Sequence, residues 1–193
     1  MENLNILIVG VGGQGTLLAS KFLGAVAALI GKDVKVSEVH GMSQRGGSVV
    51  TCVKIGDNIF SPLIDEGQAD IILAFEQLEA VRWIKYLKKG GTVIVNTQKI
   101  NPMPVVFGMT TYPDNVIEVL NNSDITVHSL DAFTMAVESG TSKAVNIVLL
   151  GVLSKALPEI PDNVWQEGLR AVIPAKLLEV NTKAFEKGRN YIE

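Results

Sequence analysis

The first residues with a visible chemical role form the segment Gly-Val-Gly-Gly-Gln-Gly at positions 10–15. Glycines permit a tight turn, and at the start of a helix they leave bare backbone N–H groups at its positive end, where an anion can bind. The same glycines can also serve only to make a strand-to-helix turn tight. Both roles stay open for the residues of this first segment, which are Gly10, Gly12, Gly13, Gln14 and Gly15.

A second glycine-rich segment, residues 40–48, reads His-Gly-Met-Ser-Gln-Arg-Gly-Gly-Ser. Its arginine could form paired hydrogen bonds with a carboxylate or phosphate, or a salt bridge across a subunit contact. Its hydroxyl and amide groups could bind the same ligand, a partner's backbone or the loop itself. The histidine could titrate near neutral pH, but no catalytic partner is visible beside it, which favours a structural role. The candidate ligand-binding or partner-binding residues here are His40, Ser43, Gln44, Arg45, Gly46, Gly47 and Ser48.

Cys52 is the only cysteine in the chain. The sequence therefore has no disulfide framework, no four-cysteine zinc site and no means of ligating an iron–sulfur cluster by itself. In a strand pattern a lone cysteine behaves as a small hydrophobic residue, so we assign it no redox role. No metal-binding constellation and no catalytic nucleophile is visible, and the sequence predicts that this chain holds no cofactor.

Composition excludes some classes of partner. The 17 basic residues are spread along the chain and are outnumbered by 20 acidic ones, which makes nucleic acid an unexpected partner. No apolar run approaches the roughly 20 residues that span a bilayer, and no basic stretch precedes the short run near the start, so we expect a cytoplasmic protein. The hydrophobic fraction of 47% needs either a large core or a permanent interface with another chain.

The elements that must position these residues alternate between strands and helices. A β-branched run at residues 4–9 predicts a central strand, residues 16–30 a helix ended by Gly31, and residues 34–39 a second strand. Residues 49–60 predict a hairpin that turns at residues 56–58. The sequence therefore predicts an α/β, Rossmann-like three-layer fold with a mostly parallel sheet and an antiparallel hairpin excursion.

The alternation continues toward the C-terminus. Residues 71–75 and 92–95 predict strands, with a helix at residues 78–87 between them that is closed by Gly90 and Gly91. Two prolines between residues 101 and 112 predict a loop, followed by a last strand at residues 125–127. Helices are expected at residues 131–138, 143–157, 162–172 and 175–191, and the second of these is apolar nearly all round, as is typical of a buried helix.

The strand, the glycine turn and the helix also fit a dinucleotide-binding fold. Such a fold uses an acidic residue about 20 positions after the turn to bind the ribose. Glu38 lies near that place, but the second glycine-rich loop follows it at once, and ordinary dehydrogenases do not need such a loop. A freestanding NAD(P)-binding oxidoreductase, or a nucleotide sensor without catalysis, therefore stays open as an alternative.

Taken together, residues 10–15 and 37–48 resemble the gamma-type domain of 2-oxoacid:ferredoxin oxidoreductases. The resemblance covers essentially the whole length and implies one pyruvate/ketoisovalerate oxidoreductase gamma-type domain over residues 1–193. The form of the second loop, with Glu76 and Glu79, is most similar to indolepyruvate oxidoreductases, with enzymes acting on pyruvate, 2-oxoisovalerate or 2-oxoglutarate as neighbours. Further matching segments are Ser61-Pro62-Leu63-Ile64, Ala69-Asp70, Phe75-Glu76, Tyr112-Pro113, residues 146–151, Asn181, Ala184-Phe185 and Gly188.

The resemblance also implies partners and cofactors. It implies a large alpha subunit that holds thiamine diphosphate, Mg²⁺ and 4Fe-4S clusters, with coenzyme A as acyl acceptor and ferredoxin as electron acceptor. Its implied reaction is the oxidative decarboxylation of a 2-oxoacid. The isolated chain is then expected to be inactive.

Overall fold

Short runs of β-branched apolar residues form the strands of one sheet in the computed structural model, which describes residues 3–40 and 47–192. Within those residues the order across the sheet is β2-β3-β1-β4-β5-β6, and β3 runs antiparallel to its neighbours while β1, β4, β5 and β6 are parallel. The strands are Leu4–Val11 (β1), Asp33–His40 (β2), Ser48–Gly56 (β3), Ala69–Ala74 (β4), Leu87–Asn96 (β5) and Thr126–Leu130 (β6).

Helices cover both faces of this sheet. One face is covered by α1 and α6, with α5, α7 and α8 packed against these two helices, and the other face is covered by α2 and α4. The predicted Rossmann-like three-layer fold with a mostly parallel sheet is therefore confirmed. The helices are Thr16–Leu29 (α1), Gln77–Trp83 (α2), Met103–Val106 (α3), Val116–Asn121 (α4), Ala132–Glu138 (α5), Val145–Ala156 (α6), Asp162–Val172 (α7) and Ala175–Arg189 (α8), with single 3-10 turns at Ile84–Tyr86 and Ser142–Ala144.

Strand β1 is the centre of the core. Because side chains alternate along a strand, Ile6 and Ile8 enter the cluster with the long helices while Leu7 and Val9 enter the cluster with α2 and α4. All four side chains are buried, as the continuous apolar run predicts for a strand covered on both faces. The end of β1, where the first glycine-rich segment begins, is thereby held rigidly.

Helix α6 is buried on all sides, as its sequence predicts, and it crosses α8 very closely. The crossing is made by two glycines. A side chain at Gly188 would meet the backbone oxygen of Val148, and one at Gly151 would meet the backbone oxygen of Phe185. The missing side chains therefore let the two backbones come into direct contact, which positions α6 against α8.

The predicted hairpin at residues 49–60 is wrong in its second half. Strand β3 lies between β2 and β1 and pairs antiparallel with both. The antiparallel part of the sheet is therefore β3, and the predicted partner strand after residues 56–58 is not formed. The following residues do not form a strand. The N–H of Ile59 donates a hydrogen bond to Asp33 at 3.0 Å, which ties this loop to the start of β2.

The prediction that Gly90 and Gly91 close the helix before β5 is also wrong. Helix α2 ends at Trp83 and passes through the 3-10 turn into β5, so both glycines lie inside that strand. The pairing of β4 with β5 shifts its register between Ala69 and Ile71, opposite this stretch. A glycine pair reads equally as a helix stop or as a strand irregularity, and the sheet contacts decide between them.

The proline-rich stretch after β5 contains a helix where a loop was predicted. Pro102 and Pro104 stand at the cap and in the first turn of α3, where a missing N–H costs nothing. Helix α4 follows before the edge strand β6, and the sequence pattern did not predict it. Among residues 3–40 and 47–192, no helix combines the length and the apolar character that a bilayer crossing requires.

Candidate functional site

The glycine turn lies at the carboxyl edge of the sheet. There β1 ends beside β4. After β1 the chain first forms β2 and β3, which lie on one side of β1 within the sheet, and then returns to form β4 on the other side of β1. In open α/β sheets this reversal of strand order leaves a crevice in which ligands bind. The elements therefore place residues 10–15 where a binding site is expected.

The Gln14 side chain organises this edge. Its Oε1 accepts a hydrogen bond from the N–H of Val11 at 2.7 Å, and its Nε2 donates to the carbonyl of Phe75 at 3.0 Å and to Gln98 at 3.3 Å. A side chain at Gly10 would collide with Gln14 and Phe75. The amide therefore ties the ends of β1, β4 and β5 together, and its bonds give Gln14 a structural role at the turn.

Gly15 begins helix α1 with φ 89°, a left-handed conformation that strains other residues. Its carbonyl accepts a hydrogen bond from Asn146 Nδ2 at 3.3 Å, and a side chain there would overlap that amide. Asn146 is buried at the start of α6, so its amide forms a polar contact in the core that joins α6 to the glycine turn. Gly13, in contrast, is exposed, has φ 100° and faces open space.

A cleft of about 480 Å³ opens beside this turn. The first backbone N–H groups of α1 start here, and such groups have no acceptor within their own helix. In the 3-10 turn that leads into α6, the N–H of Lys143 already donates to the Thr141 hydroxyl at 3.3 Å. Lys143 brings a cation to the same place, and the half-exposed ring of Phe133 brings an apolar wall. The cleft is lined by Gly13, Gln14, Gly15, Gln98, Phe133, Ser142, Lys143, Val145 and Asn146.

The second glycine-rich segment joins β2 to β3 next to the turn. Ser43, Gln44, Arg45 and Gly46 lie outside the described residues. At its borders His40 pairs with Val49 in the sheet, and the N–H of Gly12 donates to the carbonyl of Gly47 at 2.9 Å. The described ends of both glycine-rich segments are therefore in contact.

A buried carboxyl group closes the edge on the side of α2. Glu76 caps that helix by accepting from the N–H of Glu79 at 3.0 Å, and it also accepts from the N–H of Ile100 at 3.1 Å and from the hydroxyl of Tyr112. Burial, followed by the hydrogen bond to Glu76, raises the pKa of Tyr112 well above its usual value. Tyr112 therefore stays a hydrogen-bond donor at any ordinary pH.

The described residues do not fit a resident metal ion or cluster. Within the parts of the chain that the structure describes, no three His, Cys, Asp or Glu side chains are close enough together to hold a metal ion. Cys52 lies in β3, and burial raises the pKa of its thiol, which disfavours the thiolate that binds metals. The described residues therefore offer no group of side chains suited to hold a metal ion.

The arrangement differs from that of a dinucleotide-binding fold. Glu38 lies in β2 opposite Thr51 of β3, and Thr51 in turn lies opposite Ile8 of β1. The inserted strand therefore separates Glu38 from the strand that carries the glycine turn by two strand spacings, roughly 10 Å. A ribose-binding acid belongs on the neighbouring strand, so the geometry does not favour the NAD(P) alternative.

Sequence reasoning missed several residues of the site. Gln98, Phe133, Ser142 and Lys143 line the cleft, although none belongs to a recognisable motif. Gln98 follows the carboxyl end of β5, and Lys143 precedes the buried helix α6. Their positions at or near the ends of predicted elements were the only signal that could have found them.

The fold and the site define a Rossmann-like α/β protein in which the glycine turn at the carboxyl edge of the sheet contacts Gly47, a described end of the second glycine-rich segment. The model of the family described as pyruvate ferredoxin/flavodoxin oxidoreductase matches residues 5–191. The chain therefore belongs to this family, and the resemblance carried by the glycine-rich segments is confirmed.

Individual relatives agree with this assignment. The indolepyruvate oxidoreductase subunit IorB of Pyrococcus horikoshii is 43% identical over 195 residues, with 97% of this chain and 95% of that protein covered. A common gamma subunit of pyruvate/ketoisovalerate oxidoreductases from Thermococcus litoralis is 28% identical, with 95% of this chain and 96% of that protein covered. The solved gamma subunit of a keto/oxoacid ferredoxin oxidoreductase from Geobacter sulfurreducens shares the fold, with a TM-score of 0.73 at 24% identity and 97% of both chains covered.

Proposed function

We propose that this chain is the beta subunit of an indolepyruvate oxidoreductase and works only with a large alpha subunit. The observation that carries this proposal is the 43% identity to an indolepyruvate oxidoreductase subunit across nearly the whole length of both proteins. The complex would oxidatively decarboxylate an aryl pyruvate. Coenzyme A would accept the acyl group, CO₂ would be released, and the electrons would reduce ferredoxin. The proposal includes a cytoplasmic location and a single domain over residues 1–193.

The chemistry of the reaction is assigned to the partner. There, thiamine diphosphate with Mg²⁺ would supply the chemistry of decarboxylation, and iron–sulfur clusters would supply the path of the electrons to ferredoxin. This assignment is supported by the cysteine content of the chain, because one thiol cannot ligate a cluster by itself. The role left to this chain is to bind and orient a ligand or the partner subunit, and so to complete the complex.

A gamma subunit acting on pyruvate, 2-oxoisovalerate or 2-oxoglutarate is the second candidate. It is favoured by the match to the pyruvate/ketoisovalerate gamma subunit, but the identity of 28% is lower than for the indolepyruvate relative. Both candidates use the same kind of complex. They differ in the 2-oxoacid that it accepts.

Within this proposal, the two glycine-rich segments are the surface that meets a ligand or the partner subunit. The first segment contributes Gly13 and the start of α1 to the cleft, where Lys143 adds a positive charge. A phosphate group, such as those of coenzyme A, suits such a surface because it accepts hydrogen bonds from backbone N–H groups and from an ammonium group.

Reconstitution tests the function. The chain and its alpha subunit are purified separately, and reduction of ferredoxin or a viologen is followed with indolepyruvate, phenylpyruvate and pyruvate in the presence of coenzyme A. We expect no activity from either chain alone, full activity from the mixture and the highest kcat/KM with an aryl pyruvate.

Two results would contradict this assignment. Activity of the isolated chain would refute the division of labour between the subunits, and a preference for pyruvate would favour the second candidate. Calorimetric titration with NAD and NADP serves as the control for the dinucleotide alternative, and we expect no binding at micromolar concentrations.

The role of the cleft is tested by the substitution Lys143→Glu in the reconstituted complex. If the lysine holds an anionic group of coenzyme A, the KM for coenzyme A should rise about tenfold or more, because a charge-assisted hydrogen bond is lost. The matched control is Lys155→Glu, at an exposed lysine in the last turn of α6. An unchanged KM with a raised half-saturating concentration of this chain would instead place the partner subunit at the cleft.

A further inference from the structure

Glu79 is a buried carboxyl group for which the proposed function has no role so far. It lies in the first turn of α2, and only 2% of its surface is exposed. Burying such a group is costly unless both of its oxygens are paired. Both are paired here, with Arg82 Nη1 at 2.5 Å from Oε1 and with Ser48 Oγ at 2.5 Å from Oε2.

The serine partner of Glu79 stands at a special place in the chain. Ser48 is the first residue of β3 and directly follows Gly47, the last residue of the second glycine-rich segment before that strand. The carbonyl of Gly47 accepts the hydrogen bond from Gly12, and Ser48 lies opposite Val11 in the sheet. Two successive residues are therefore tied to different elements, Gly47 to the glycine turn and Ser48 to helix α2.

We propose that Glu79 is a positioning residue, which acts through Ser48 to set where the second glycine-rich segment leaves the sheet. This role presupposes the proposed function, in which that segment meets a ligand or the partner subunit. Glu79 is itself placed by the backbone, because its N–H donates to Glu76, the cap of α2. Arg82 holds the second carboxylate oxygen and is 44% exposed on its side chain, so the buried carboxylate is neutralised from the solvent side.

The position of this link explains why a charged group is used. Ser48 and Arg82 line a surface hollow of about 390 Å³ together with Trp83, Lys85 and Tyr86. A hydrogen bond from a hydroxyl to a carboxylate is shorter and stronger than one between neutral groups. At the border of an open hollow, such a bond can hold the end of a strand in place although water is close by.

The experiment uses the reconstituted complex and four variants of this chain, Glu79→Gln, Ser48→Ala, Ser48→Thr and the double variant Glu79→Gln/Ser48→Ala. We expect the first two each to raise the KM for coenzyme A or the half-saturating concentration of this chain about tenfold, the effect of one lost hydrogen bond to a charged group. At saturation, kcat should stay within about twofold. The double variant should be no worse than Glu79→Gln alone, because in this role Ser48 acts only through residue 79. Ser48→Thr keeps the hydroxyl and should retain the wild-type values.

Hydrogen exchange of the free chain separates this role from the proposed function. The amides of residues 47–49 should exchange faster in Glu79→Gln than in the wild-type chain, whether or not the complex is active. The matched control is Glu138→Gln, at an exposed carboxylate paired with Lys187, and it should leave these amides unchanged. Unchanged exchange at residues 47–49 in Glu79→Gln, or effects of the two single variants that multiply in the double one, would overturn the positioning role.

Discussion

Replacing Gly188 with alanine is expected to lower the free energy of unfolding by about 3 kcal/mol or more, the upper part of the range for overpacked cores. A Cβ atom at this position would lie 1.9 Å from the backbone oxygen of Val148 and 2.8 Å from its carbonyl carbon. A side chain can turn away from such a contact, but a helix backbone cannot. The variant must therefore push α8 away from α6 and open the core between them.

Chemical denaturation of the purified chain measures this effect, with the same substitution at Gly24 as the control. Gly24 lies within α1, and a Cβ atom there would have nothing within 4 Å. Gly24→Ala should therefore stabilise the chain by about 0.5–1 kcal/mol, the usual gain for a helix interior. Ordinary surface substitutions change the free energy of unfolding by no more than about 0.5 kcal/mol. If the free energy of unfolding of Gly188→Ala lies within that range of the wild-type value, the close crossing of α6 and α8 is refuted.

The second large effect is expected for Glu76→Ala, which removes the acceptor of three hydrogen bonds in a buried place. The N–H groups of Glu79 and Ile100 and the hydroxyl of Tyr112 would all lose their partner. Each buried group left unpaired costs about 1–3 kcal/mol, so the total loss should be at least about 3 kcal/mol. Since these groups connect the end of β4 with the segments after β5, reconstituted activity should fall as well.

Denaturant unfolding and activity of the reconstituted complex are measured for Glu76→Ala beside two other variants. Glu138→Ala changes an exposed glutamate and should stay within about 0.5 kcal/mol of the wild type. Tyr112→Phe removes the donor to Glu76 and the acceptor of the Leu78 N–H, and should cost about 2 kcal/mol, a typical value for two hydrogen bonds. If Glu76→Ala were no less stable than Tyr112→Phe, the carboxyl group would not be the centre of this network.

Much of the fold could be predicted because its signals are local. The apolar run of β1, the helix after the glycine turn and the all-apolar helix α6 each follow from the composition of one continuous stretch. The place of β3 could not be predicted in this way. Residues 49–55 read as a strand with or without a following hairpin, and only the contacts with β1 and β2 decide which strands they join.

In the candidate site, too, the residues with local signals could be predicted and the others could not. The glycines of residues 10–15 are visible because the turn needs them in one short stretch. Lys143 and Gln98 reach the same cleft from distant parts of the chain, and neither stands in a pattern that a single sequence displays. The bond between Ser48 and Glu79 joins residues 31 positions apart, so the role of Glu79 becomes visible only in three dimensions.

The insertion of β3 between β1 and β2 also determines how this region can change during evolution. His40 and Val49 face each other on adjacent strands, so the two ends of the connecting segment are only about 5 Å apart, whatever lies between them. Extra residues can therefore be added to the connection while every strand keeps its partners. A large deletion, in contrast, would break the hydrogen bonds between β2 and β3 that lie nearest to the connection. Exchanging residues 41–46 for those of a relative with another substrate is thus a change that the sheet itself can tolerate.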